Sequence, residues 1–267
     1  MPANSLYIKK GKLGIKGLLI IIYNEIKALN SNRHLIYGNL FSPVLYFLFF
    51  SFGIQSTFGN LMFNGEYVSF ISYSLVGIFA MSIFREMYQC VFRMVTDKRW
   101  GLLSAKLLNG VAPPLYLLGI STFPIIGVLV QVSILYTLSV AMRTTFPFVN
   151  LLLIMPFLIC CILFWSSILL CIAMLVKNYK QRDFVMNTMM LPVMFSAPLF
   201  FSLENATLFL RIVSNVNPLT HQVQAMRLIA FGMPANNQIW LVFALAVVAF
   251  CFATFLLSRI DFRSAEH

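Results

Sequence analysis

Residues 149–176 read VNLLLIMPFLICCILFWSSILLCIAMLV, a run of 28 residues without one charged side chain. A helix rises about 1.5 Å per residue, so this run is long enough to cross the ~30 Å hydrocarbon layer of a bilayer. In water it would need covering on every side, and little else in the chain is polar enough to do so. Apolar residues make up 60% of the 267 and charged residues 10%, against about 25% charge in an ordinary soluble domain. Working outward, comparable runs lie near 35–58, 67–92, 115–141, 185–203 and 236–258. The expectation is an all-α integral membrane protein with six transmembrane helices, a single domain over 35–258. Pro43, Pro124, Pro156, Pro192 and Pro198 fall in or beside these runs, where neighbouring helices can satisfy the freed backbone groups. The alternating ~10-residue segments of a membrane β-barrel do not occur.

Charge orients the spans. Fourteen basic residues group on one side: Lys9, Lys10, Lys12, Lys16, Lys27 and Arg33, then Lys98, Arg99 and Lys106, then Lys177, Lys180 and Arg182, and last Arg259 and Arg263. Arg143, Arg211 and Arg227 alone fall opposite. Positive residues stay cytoplasmic, so both termini and the loops at 97–114 and 177–184 are expected there. The net charge of +11 then reads as a topology signal, and no compact basic module for nucleic acid exists. The polar, basic amino terminus lacks a cleavage site after a short apolar core, so the first span is expected to act as the insertion signal. Cys90, Cys160, Cys161, Cys171 and Cys251 all sit within apolar runs and read as small buried hydrophobes rather than a disulfide or metal framework.

Three segments are not simple spans. Residues 1–34 contain a basic amphipathic stretch, with Ile15, Leu18, Leu19, Ile22, Ile26 and Leu29 at helical spacing, suited to the headgroup layer. In the 97–114 loop, Trp100, Leu103 and Leu107 share a face, and Gly110 with Pro113-Pro114 stops the short helix. Such a helix can dock in a partner's groove or cap the bundle. Between the last two spans, 204–233 carries two half-length helices. Asn217-Pro218 starts the second, as an N-cap and a first-turn proline. On it Leu219, Val223, Met226 and Ala230 face one way, and Thr220, Gln224 and Arg227 the other. Too short to span, these helices are expected to be re-entrant, with Arg227 either at a functional site or snorkelling to the surface. A polar stripe on the second span, Ser82, Glu86, Gln89 and Arg93 with Arg85 adjacent, lines a wet vestibule or subunit contact, or reaches the headgroups.

Met190-Leu191-Pro192-Val193-Met194-Phe195-Ser196-Ala197-Pro198-Leu199-Phe200-Phe201, followed by Val216-Asn217-Pro218-Leu219-Thr220 and Ala225-Met226-Arg227, resembles the carboxy-terminal signature of the ABC type-2 permeases. That branch includes nodulation-factor, daunorubicin-type drug and polysaccharide exporters. The loop run Gly101-Leu102-Leu103-Ser104 departs from the family's more acidic version. The resemblance implies a homodimeric or paired permease in a bacterial plasma (inner) membrane, moving a lipid-like or glycan substrate. Two separate ABC ATPase subunits would carry ATP and Mg, and no cofactor is expected on this chain. Arg99, Trp100, Leu103, Lys106, Leu107 and Lys180 would contact the ATPase, while Thr220, Gln224, Arg227, Glu86 and Gln89 would line the path or its gate. Independently, no Gly-x-x-x-x-Gly-Lys-Ser/Thr phosphate loop occurs.

Two other classes compete. A membrane-embedded enzyme needs paired acids or a metal set at bilayer depth, and the eight acids read as lying near span edges, with His34, His221 and His267 isolated. An ion-coupled secondary carrier or channel is the alternative, though coupling acids and an inverted repeat are not visible. The topology has a direct test. A cysteine introduced at position 180 is expected to label only from the cytoplasmic side, and labelling from outside overturns the orientation.

Overall fold

In the computed structural model, which describes residues 13–31, 33–144, 146–204 and 206–259, the apolar runs become helices in chain order. Helix α1 (Gly14–Ser31) comes first. The first span is α2 (Arg33–Leu45), a π-helical segment (Tyr46–Ser51) and α3 (Phe52–Phe58). Pro43 withholds one backbone donor just before the wider turns begin. Strands β1 (Asn60–Phe63) and β2 (Glu66–Ser69) follow, then α4 (Phe70–Arg99), α5 (Leu102–Leu108), α6 (Pro113–Ile120), α7 (Thr122–Ala141) and α8 (Phe148–Leu175). The chain ends in α9 (Tyr179–Ser196), α10 (Leu208–Val216), α11 (Pro218–Ala230) and α12 (Asn236–Ser258). Lys9, Lys10, Lys12, Arg263 and the rest of the tail from 260 lie outside the described residues.

Five segments are long and apolar enough to cross a membrane: Tyr37–Gln55, Phe70–Arg99, Pro113–Ala141, Phe148–Leu175 and Asn237–Ser258. The sixth expected span corresponds to α9, whose first turns carry Lys180, Arg182 and Asp183. Its bounds also differ from the expected 185–203. Asn178 caps its start, the side chain accepting from the Gln181 amide at 2.8 Å. Its end is set by Pro198, which holds Ala197 extended at ψ 142°. The all-α expectation needs one amendment, an antiparallel hairpin pairing Asn60 with Ser69 and Phe63 with Glu66. Its turn is Asn64-Gly65, the strongest short-range hairpin signal a sequence offers.

Helix α4 is the centre of the bundle. It packs on α7, α8, α9, α11 and the π segment, and most of it is buried, whereas the first and last spans are mostly uncovered. It also runs seven residues past the expected end of the second span, taking Asp97, Lys98 and Arg99 into the helix. Glu86 and Arg85 therefore sit near the middle of α4, not at its edge. The basic side chains of α4, α5 and α9 gather at one end of the bundle. The hairpin, residues 142–144 and 146–147, and Leu203–Glu204 lie at the far end.

Helix α1 docks differently from its hydrophobic pattern. Gly17, Ile21, Glu25 and Leu29, one residue per four, are buried, while Ile15, Leu19 and Ile26 of the expected apolar face stay exposed. The narrow stripe packs on α6 and α7 and leaves a broad apolar face for lipid. Its anchor is an ion pair, Glu25 to Arg93 of α4 at 2.5 Å, with the guanidinium also 5.1 Å from the Phe123 ring centre. Burial pushes the Glu25 carboxyl up to about 7, against the pull of Arg93. A carboxyl raised in the folded state binds its proton more tightly there, so docking of α1 strengthens as pH falls through 7. Glu25→Ala is expected to cost about 2 kcal/mol of local stability. Amide exchange over 14–31, corrected for intrinsic rate, should speed up roughly 30-fold, and Glu25→Gln should do less. Unchanged exchange in Glu25→Ala rules out the anchor.

Candidate functional site

Residues 197–203 cross the face of α4 without regular structure, so their buried carbonyls need donors from elsewhere. Arg227 of α11 meets two of them, Pro198 and Leu199. Its Nη1 donates to the Pro198 carbonyl at 2.6 Å and its Nη2 to Leu199 at 2.7 Å. Nε and Nη2 both reach the Tyr73 carbonyl at 3.4 Å. The guanidinium carbon lies 3.4 Å from the centre of the Tyr73 ring, and the Tyr73 hydroxyl donates to the Phe201 carbonyl at 2.8 Å. Arg227 is fully buried and makes no ion pair among the described residues. It neither snorkels nor presents its charge to solvent.

The crossing segment passes so close to α4 that only glycine fits beneath it. A Cβ on Gly77 would lie 2.1 Å from the Leu199 oxygen. Ser214 holds the end of α9, donating to the Ser196 carbonyl at 2.5 Å. Asn217 binds the Val193 carbonyl at 2.7 Å and the Ser196 hydroxyl at 2.8 Å, while its own Oδ1 caps α11 at the Leu219 amide. The Nε and Nη2 of Arg211 likewise donate to the carbonyls of Leu203 and Glu204.

This segment is a septum between two cavities. On the far-end side is a polar cavity of about 380 Å³, lined by Asn64, Ser202, Glu204, Gln224, Arg227 and Gln238 with Tyr73 and Phe63. On the other is an apolar cavity of about 620 Å³ between the first span, α4 and α9. Tyr46, Phe50, Phe195, Phe200 and Phe201 line it, with Arg85 as its one charged residue. Of the path residues read from sequence, Gln224 and Arg227 border the polar cavity, and Thr220 does not. Thr220 is fully buried with an unpaired hydroxyl, because α11 is wedged among α4, α8 and α12 on both its faces. Glu86 borders neither cavity. Its Oε1 accepts from Asn39 of α2 at 2.9 Å and from Gln131 of α7, a three-helix polar tie. Gln89 is half-buried.

At the basic end, the two loops expected to face a partner come together. Arg99 lies 4.4 Å over the Tyr179 ring, and Arg182 lies 4.5 Å over Phe92. Trp100 Nε1 donates to the Tyr179 hydroxyl at 3.3 Å, and Lys98 donates to the carbonyls of Met174 and Val176. One expectation needs correcting. Left-handed Gly101 (φ 68°) reverses the chain between α4 and α5, so Trp100 does not share a face with Leu103 and Leu107. Both leucines are buried in the chain's own core, while Trp100, Leu102 and Leu108 are exposed. Lys106 pairs inward with Asp97, which also accepts from the Tyr116 hydroxyl at 2.9 Å. Lys180 is exposed.

Sequence reasoning missed Tyr73, Gly77 and the Asn64-Gly65 turn. Only the last had a local signal. The turn amide of Asn64 meets Glu204 at 3.3 Å across the rim of the polar cavity.

The septum predicts a ranked set of defects. Arg227→Ala leaves two buried carbonyls unpaired, at about 1–3 kcal/mol each, and Arg227→Lys, lacking the planar fork, should recover less than half. Gly77→Ala should cost about 1–3 kcal/mol through overpacking. Melting of the purified protein in detergent checks the order, and wild-type melting in Arg227→Ala refutes the clamp.

A family model described as ABC-2 type transporter matches residues 16–231, from α1 to the C-cap of α11. No curated protein matches the chain.

Proposed function

The chain belongs to the ABC-2 type transporter family, and we propose that, as the permease subunit of an ABC transporter, it exports an amphipathic, lipid-linked or polysaccharide-type substrate from the cytoplasm or inner leaflet. The observation carrying this reading is the pair of cavities, apolar and polar, separated by one pinned septum. An amphipathic cargo needs an apolar site for its chain and a polar exit for its headgroup, with a barrier between them that can be withdrawn. Helices α10 and α11 support re-entry at the outer leaflet. Neither can span, and Leu208, Phe209, Ile212 and Val216 give α10 an exposed apolar face suited to lipid. Arg227 serves here as the latch on the septum rather than as a ligand for cargo.

The motor is a separate ABC ATPase, two copies per complex, holding ATP and Mg. Its docking surface is the basic end, whose cytoplasmic orientation the charge asymmetry supports, and there Trp100, Leu102 and Leu108 stand exposed beside Arg99 and Lys180. A second copy of the chain would cover the first span and α9, which bury little of themselves within one protomer. The membrane in question is the bacterial plasma membrane.

Exposure now divides the coupling residues. Trp100→Asp with Leu102→Asp should weaken ATPase association roughly 30-fold, the loss of a hot-spot contact, and abolish transport while leaving melting unchanged. Leu103→Asp should instead lower the melting temperature, because it places a charge in the core. Co-purification and detergent melting separate the two. Normal ATPase association by the double variant sinks the proposed surface, and transport without any ATPase would favour the carrier or channel reading.

A further inference from the structure

Arg85 is a half-buried cation in the wall of the 620 Å³ apolar cavity, and among the described residues it makes no hydrogen bond or ion pair. Its neighbour Glu86 does not neutralise it at contact distance, because that carboxylate is turned away and held by Asn39 and Gln131. Such a charge in a low-dielectric wall is costly unless a counter-ion comes to it. Two hydroxyl-bearing side chains, Ser42 and Tyr46, stand one helical turn apart on the facing first span and line the same cavity. Phe195, Phe200 and Met194 supply apolar surface beside them. The volume falls within the usual range for small-ligand sites.

We propose that this cavity binds an amphiphile by its single anionic phosphate-class headgroup, with Arg85 as the residue that selects it and the aromatic wall holding its chain. Guanidinium matches phosphate through paired N–H donors, and the two hydroxyls can donate to the remaining oxygens. The far-end cavity does not compete for that role, since its one arginine is spent on carbonyls and Glu204 stands at its rim. Depth bears on the source of the headgroup. Arg85 lies ~21 Å along α4 from Arg99, deeper than a phospholipid headgroup resting at the membrane surface, which suits a cargo in transit. The proposal leans on the transporter reading only for the direction of travel, not for binding.

The test uses the full-length protein in phosphatidylcholine nanodiscs and measures saturable binding of radiolabelled dodecyl phosphate. The expected result is one site per chain, competed by unlabelled dodecyl phosphate but not by inorganic phosphate or the chain-matched uncharged dodecyl glycoside. Arg85→Gln should weaken binding roughly 30-fold or more, Arg85→Lys, which keeps the charge but not the paired donors, should fall between the two, and unchanged melting would show the fold intact. Nanodiscs doped with phosphatidylglycerol separate the sources. Competition there assigns the site to bulk anionic lipid, and its absence assigns it to a phosphate-terminated cargo; either supports an anionic-headgroup site. Equal binding of the uncharged glycoside, or wild-type affinity in Arg85→Gln, overturns it. That failure would leave ATPase association untouched, whereas loss of association in the wild type would strike the transporter reading instead.

Discussion

A backbone carbonyl inside a bilayer has no water to accept from, so non-helical chain at membrane depth survives only where protein donors reach it. Residues 197–203 live under that constraint: the guanidinium of Arg227 meets the carbonyls of Pro198 and Leu199 while also reaching that of Tyr73 on α4, and the Tyr73 hydroxyl and Arg211 meet those of Phe201 and Leu203. Other features at the far end follow from this. Helix α11 must be buried deeply enough to deliver the side chain, which is why Asn217 both caps α11 and grips the end of α9. Gly77 must lack a Cβ, because the Leu199 oxygen occupies that place. The segment so held stands between an apolar and a polar cavity.

Several interior polar groups join separate elements. Asn39, Glu86 and Gln131 tie α2, α4 and α7. Trp165 of α8 donates to Gln222 of α11 at 2.8 Å, and Glu25 joins α1 to Arg93 of α4. Among apolar side chains surrounded by lipid, hydrophobic burial gives little reason for one packing over another, and such bonds fix which helix lies beside which. Arg85 differs from these groups, for among the described residues it makes no hydrogen bond or ion pair.

One helix carries residues of most of these sites. Along α4 stand Tyr73 and Gly77 beneath the septum, Arg85 in the apolar cavity, Arg93 under α1 and Arg99 at the basic end. At 30 residues it is ~45 Å long, longer than the hydrocarbon layer, so its last turns stand clear of the membrane beside α5 and the start of α9. Trp100, the C-cap of α4, therefore stands at one end of the same element whose other end supports the septum.

The amino-acid sequence alone determined that this is a membrane bundle, because an uncharged run such as 149–176 has only one stable environment. It also determined that a helix starts at Asn217-Pro218, since capping and a first-turn proline act locally, whereas the helix expected to run to 203 stops at Ser196, before Pro198. The Asn64-Gly65 hairpin was equally legible but hidden by the assumption that every element is helical. What each polar side chain faces was decided only by tertiary packing. Periodicity put Leu103 and Trp100 on one face, yet left-handed Gly101 reversed the chain between them. It grouped Arg227 with Thr220 and Gln224 as a polar face, yet α11 is enclosed on both faces and the arginine turns to backbone. A helical pattern records which side chains share a face, but not which neighbour covers it. In a membrane, where the outside of the bundle is as apolar as the inside, only the packed structure supplies that answer.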